Sequence, residues 1–68
     1  MRQWLRDARN KRQLTMKQVA KELGCSEGYY SMIENGERQK SMDLELVQKL
    51  SRIFDIPISD IAEYEKNI

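Results

Sequence analysis

Residues 16–35 read MKQVAKELGCSEGYYSMIEN, two short helices joined by a tight turn at Gly24. Thr15 precedes the first helix and Gln18 lies three residues on. This is the S/T-x-x-E/Q capping box, which satisfies two orphan backbone donors at a helix start. Met16, Val19, Ala20 and Leu23 fall on one stripe, and Lys17, Gln18, Lys21 and Glu22 on the other. Gly24 takes the left-handed conformation that ends such a helix at low steric cost. Ser26 caps a second helix two residues later.

The second helix carries two faces of different chemistry. Tyr29, Tyr30 and Ile33 point one way. Gly28, Ser31, Met32 and Asn35, spaced i, i+3, i+4 and i+7, point the other, with Glu27 at their edge. A solvated face usually collects Lys and Glu. This one is small, polar or flexible, and such a face can lie close against another surface. Ala20, with only a methyl group, lets the two helices cross closely at the turn.

Composition limits the alternatives. With 68 residues the chain is one domain, of a size that buries only about 60% of its unfolded surface. The single Cys25 allows no internal disulfide, and without His there is no metal-ligand spacing. Residues 1–15 are basic and lack the apolar run of a secretory signal, and no stretch reaches transmembrane length. A soluble, reduced, cytoplasmic protein is expected. Charge is uneven: residues 1–41 hold nine Lys or Arg against five acids, and residues 42–68 hold three against six. A basic half suits a phosphate-rich partner; chance is the bland alternative in so short a chain.

Elsewhere the chain is helical. Arg2 to about Arg12 forms a first helix with a narrow stripe of Trp4, Leu5 and Ala8, extended by Leu14. Lys11 and Arg12 either complement its dipole or contact phosphate. Residues 37–40 are a polar connection after the stop at Gly36. Ser41 or Asp43 caps a fourth helix with a wide apolar face, Leu44, Val47, Leu50 and Phe54, supported by Leu46 and Ile53. Pro57 suits the start of a fifth helix, Ile58 to Tyr64, with Ile58, Ile61 and Ala62 inward. Residues 65–68 are expected to fray, leaving 1–64 as the domain.

The string Leu14-Thr15, Ala20-x-x-Leu23-Gly24, Ile33-Glu34-Asn35-Gly36, together with Val19, Cys25 and Tyr30, resembles the Cro/repressor-type (XRE-type) helix-turn-helix domain over about residues 4–62. The resemblance implies an all-α, compact five-helix lambda-repressor-like bundle whose third helix, residues 26–35, enters the major groove of double-stranded DNA. Helices of this kind read base edges with their N-terminal residues. Glu27, Gly28, Ser31, Met32 and Asn35 are then the base-contacting candidates. Glu27 could accept from cytosine N4, Ser31 bond most bases, Met32 touch a thymine methyl and Asn35 pair with adenine. Lys11, Arg12, Lys17, Lys21, Tyr29, Arg38 and Lys40 are candidates for phosphate. Tyr30 reads as packing. The family also implies an ion pair, Arg9 with Glu34, tying helix one to helix three.

Four departures from the family pattern stand out. Gln13 and Met16 replace the usual Gly and Gln, the connection after Gly36 is about two residues longer, and Glu27 presents a carboxylate to a polyanion. The expected activity is that of a transcriptional regulator, of repressor, phage or mobile-element type, nucleoid-associated and bacterial or phage-encoded. Its partners would be an operator and, in a weak homodimer, a second copy of the chain. Ile56, Pro57, Ile58 and Tyr64 are candidates for that self-pairing patch, the alternative being that they close the small core. No cofactor, metal, small molecule or membrane is implied, and no enzyme. Glu27 keeps one other class open, an antitoxin-like or adaptor interaction module on the same fold.

Overall fold

Local chemistry sets where each helix begins and stops. The computed structural model describes residues 1–66 and holds α1 (Gln3–Lys11), α2 (Met16–Leu23), α3 (Glu27–Asn35), α4 (Leu44–Phe54) and α5 (Ile58–Lys66). At the start of α2, Thr15 Oγ1 accepts from the Gln18 amide at 3.1 Å while the Thr15 amide donates to Gln18 Oε1 at 2.8 Å. Ser26 Oγ caps α3 through the Tyr29 amide at 3.1 Å, and Asp43 Oδ1 caps α4 through the Leu46 amide at 2.8 Å. Of Ser41 and Asp43, the cap is Asp43. Gly24 and Gly36 end α2 and α3 at φ +77° and +82°. Gln13 stands at φ +56°, a conformation disfavoured for a residue with a Cβ. It is the position where the family usually has Gly, which adopts this conformation at low cost.

The core is a single cluster of Leu5, Val19, Ala20, Leu23, Tyr30, Ile33, Leu46, Leu50, Phe54 and Ile61. Ala20 on α2 is buried, and α2 packs more extensively on α3 than on any other helix. Met16 packs against this core, consistent with a structural role for a side chain that cannot bond phosphate.

The periphery differs from the sequence reading. Leu44 is 65% exposed, Ile58 44% exposed and Ala62 exposed, so neither the wide face of α4 nor the inner face of α5 is fully covered. Periodicity names the side a residue lies on; a domain this small lacks the mass to cover all of that side. α5 runs on to Lys66, two residues past the expected end, and the Glu65 carboxylate accepts from Arg2 Nε at 3.0 Å and from the Trp4 indole at 2.7 Å. Residues 67 and 68 lie outside the described part of the chain.

Two buried charged residues stand at the back of α3, Arg2 and Glu34, each only 1% exposed. Glu34 accepts from Arg9 Nε at 3.0 Å and from Arg9 Nη2 at 3.1 Å, with Arg6 3.9 Å away. The hydrogen bond to Glu34 holds the Arg9 guanidinium above its ordinary pKa. Beside this pair the enclosed Tyr30 hydroxyl makes no hydrogen bond of standard geometry. Burial first, then the Glu34 carboxylate, push its pKa well above the usual tyrosine range. Removing one member of a buried pair leaves the other uncompensated, at a cost of about 3–5 kcal/mol. Glu34→Ala is expected to lower stability by about that amount in a denaturant titration. An unchanged midpoint with an unchanged slope would show that the pair does not hold the fold.

Candidate nucleic-acid interface

Held from behind by Arg9, Glu34, Tyr30 and Ile33, α3 presents its opposite side outward. Glu27, Gly28 and Asn35 are exposed, Met32 is 38% exposed and Ser31 half-buried. The side chains of Glu27, Ser31 and Asn35 make no hydrogen bond or ion pair among the described residues. Their donors and acceptors are unengaged, in a row along one helix. Glu27 occupies the first position of α3, where a carboxylate also complements the positive end of the helix dipole.

Gly28 is informative because nothing inside the protein requires it. A Cβ placed there meets no heavy atom within 4 Å. Glycine within a helix costs roughly 0.5–1 kcal/mol relative to alanine. The fold therefore does not need its smallness, which leaves room for close approach of α3 to another surface.

The basic candidates separate into groups. Lys17 and Lys21 are exposed on α2, beside α3, and make no ion pair among the described residues. Arg38 follows directly on α3; its amide donates to the Met32 carbonyl at 3.2 Å, and its side chain is exposed and without a partner among the described residues. Lys11 and Arg12 instead line a hollow with Trp4, Phe54, Asp55 and Tyr64, and no residue of α3 reaches it. Arg12 Nη2 donates to the Phe54 carbonyl at 3.0 Å, so it closes the end of α4. Lys40 lines another hollow, between α4 and α5, with Met42, Leu44, Val47 and Ile58. Tyr29, 37% exposed, turns its hydroxyl to Gln39 Nε2 at 3.2 Å, toward the α3–α4 connection.

The self-pairing candidates also part company. Ile56 packs on the core and Tyr64 stacks on Trp4, ring centroids 5.5 Å apart, in the hollow that holds Arg12. Ile58 lies in the other hollow, with Leu44, and Pro57 is exposed between them. Ile56 and Tyr64 thus border one hollow and Ile58 another.

Sequence reasoning gave no role to Arg2, Glu65 or Gln39. The available signal was spacing: Arg2, Leu5 and Arg9 share a helical face with the core-facing residues of α1. No group of three or more potential metal ligands exists among the described residues, and no helix there is long and apolar enough to cross a membrane.

The helix-turn-helix family model matches residues 5–61. The chain belongs to the XRE-type helix-turn-helix family of DNA-binding transcription regulators. It is 33% identical over 69 residues to a Bacillus subtilis (strain 168) protein, "Uncharacterized HTH-type transcriptional regulator YqaF", spanning 98% of this chain and 91% of that one. No solved structure matches the chain significantly. In this helix-turn-helix protein α2 and α3 are the motif, joined at Gly24, and α1, α4 and α5 are the support. Because the helical cost of Gly28 has no internal return, Gly28→Ala is expected to raise stability in denaturant unfolding, by up to about 0.5 kcal/mol, the low end of the helix-interior range, since Gly28 lies in the first turn of α3. A destabilised Gly28→Ala would mean that the glycine serves the fold after all.

Proposed function

We propose that this protein is a sequence-specific DNA-binding transcription regulator that reads the major groove with the outer face of α3. The observation that carries this reading is the unengaged row of Glu27, Ser31 and Asn35, with Gly28 and Met32, on a helix whose other side is locked into the core. Lys17 and Lys21 beside it, and Arg38 at its end, supply phosphate contacts, which set affinity and its salt dependence more than sequence choice. Lys11, Arg12, Lys40 and Tyr29 take a smaller part, since the first three border other hollows and the Tyr29 hydroxyl faces Gln39. Repression at an operator of phage or mobile-element type, in a bacterial cytoplasm, is the biological setting that this chemistry suits.

A single recognition helix covers too few base pairs to mark one site in a genome, so we propose a two-fold dimer. Its contact would centre on Ile58 and the exposed Leu44 beside it rather than on Ile56 and Tyr64. No observation on α3 favours an adaptor role, because Glu27 at the first helical position is explained by the dipole.

Selection from random duplexes, repeated with Ser31→Ala and Asn35→Ala, tests the proposal. The expected result is a preferred sequence with two-fold symmetry, half-sites about one helical turn apart, and relaxed preference with a loss of about 1–3 kcal/mol in either variant. Retention of no duplex at low salt would replace the regulator with a protein-interaction module. Unaltered preferences in both variants would move base reading away from α3.

A further inference from the structure

The chain outside the motif contains one cluster whose position bears on DNA contact. Arg2, at the start of α1, uses all three guanidinium nitrogens. Nε donates to Glu65 at 3.0 Å; Nη1 donates to the carbonyls of Ile33 at 2.6 Å and Arg38 at 3.1 Å; Nη2 donates to the Gln39 carbonyl. Its backbone amide donates to the Glu34 carbonyl at 2.8 Å. One buried side chain thus ties the end of α5, the end of α3 and the α3–α4 connection together.

The connection is held at further points. Gln39 stands at φ +54°, a costly conformation that persists only where its surroundings over-determine it. Those surroundings are Arg2 on its carbonyl, and Tyr29 and Asp43 on its side chain, at 3.2 and 3.3 Å from Nε2. Arg38, immediately before it, is clamped at both backbone ends, its amide on Met32 and its carbonyl on Arg2, while its side chain projects free of any partner among the described residues.

We infer that Arg2 is a positioning residue for DNA binding: anchored by Glu65, it fixes the backbone of Arg38 so that this guanidinium meets a DNA phosphate at the end of α3. This deepens the DNA-binding reading and rests on it. A pre-set phosphate ligand loses less conformational freedom on binding than a mobile one. Arg2 itself never touches DNA; its effect passes through Arg38. Lysine at position 2 keeps the charge but cannot serve four acceptors with a planar fork.

The test is a double-variant cycle on a mixed-sequence DNA duplex over a range of salt, using Arg2→Lys, Arg38→Ala and the pair, each checked for its helical circular dichroism. Arg38→Ala should weaken binding and reduce the log–log salt slope by about 0.9, the share of one phosphate contact. Arg2→Lys should weaken binding by about fivefold to tenfold with a similar change of slope, and should cost nothing further where Arg38 is already alanine. A purely structural Arg2 gives the same loss in both backgrounds, and that result overturns the inference. So does full affinity in folded Arg2→Lys. Should Arg2→Lys fail to fold, Glu65→Gln enters the same cycle with the same two outcomes, since its amide keeps one acceptor for Arg2. A wild-type protein that retains no duplex removes the DNA-binding reading itself; wild-type binding with additive losses removes only the role of Arg2.

Discussion

The buried carboxylate of Glu34, gripped by two nitrogens of Arg9, fixes how α3 can lie. A carboxylate taken out of water needs its partner at one place only, and that place is on α1. With Glu34 turned inward, Tyr30 and Ile33 follow it into the core, and Gly28, Met32 and Asn35 are left on the outside. The orientation of α3 is thus set by a charge pair as well as by apolar matching. Arg2 works in the same region by a different route. It takes the carbonyls at the end of α3, where a helix leaves acceptors unpaired, and joins them to the adjoining connection.

How much was legible in the sequence follows from what kind of signal each feature leaves. The capping box at Thr15 and Gln18, the stops at Gly24 and Gly36 and the apolar stripes are local, and all three are found in the structure. The partnership of Arg9 with Glu34 joins residues 25 positions apart and came only through family resemblance. Arg2 escaped because a base near the start of a basic segment reads as solvated, and its partners, residues 33, 38, 39 and 65, are scattered along the chain. Leu44 and Ala62 were placed on the correct helical side but assigned too much burial. That error reflects size: five short helices have more apolar edge than interior.

The charge asymmetry of the sequence survives in altered form. Of the bases in the first 41 residues, Arg2 is buried, Arg9 is paired with Glu34, and Arg12 closes the end of α4. Lys17 and Lys21 within the motif, and Arg38 just after it, remain without partners among the described residues. The field available to a polyanion is therefore smaller than the count of bases implies. Glu27 at the leading edge of α3 reduces it further.

The proposed function requires that the outer side of α3 meet DNA. Backbone amide resonances of the protein, followed while a duplex carrying the selected sequence is added, read this directly. The largest shifts should fall at Gly28, Ser31, Met32 and Asn35, extend to Lys17 and Arg38, and spare Leu50 and Phe54 at the back of the core. Shifts gathered on α4 and α5, with α3 unmoved, would contradict the orientation and the function built on it.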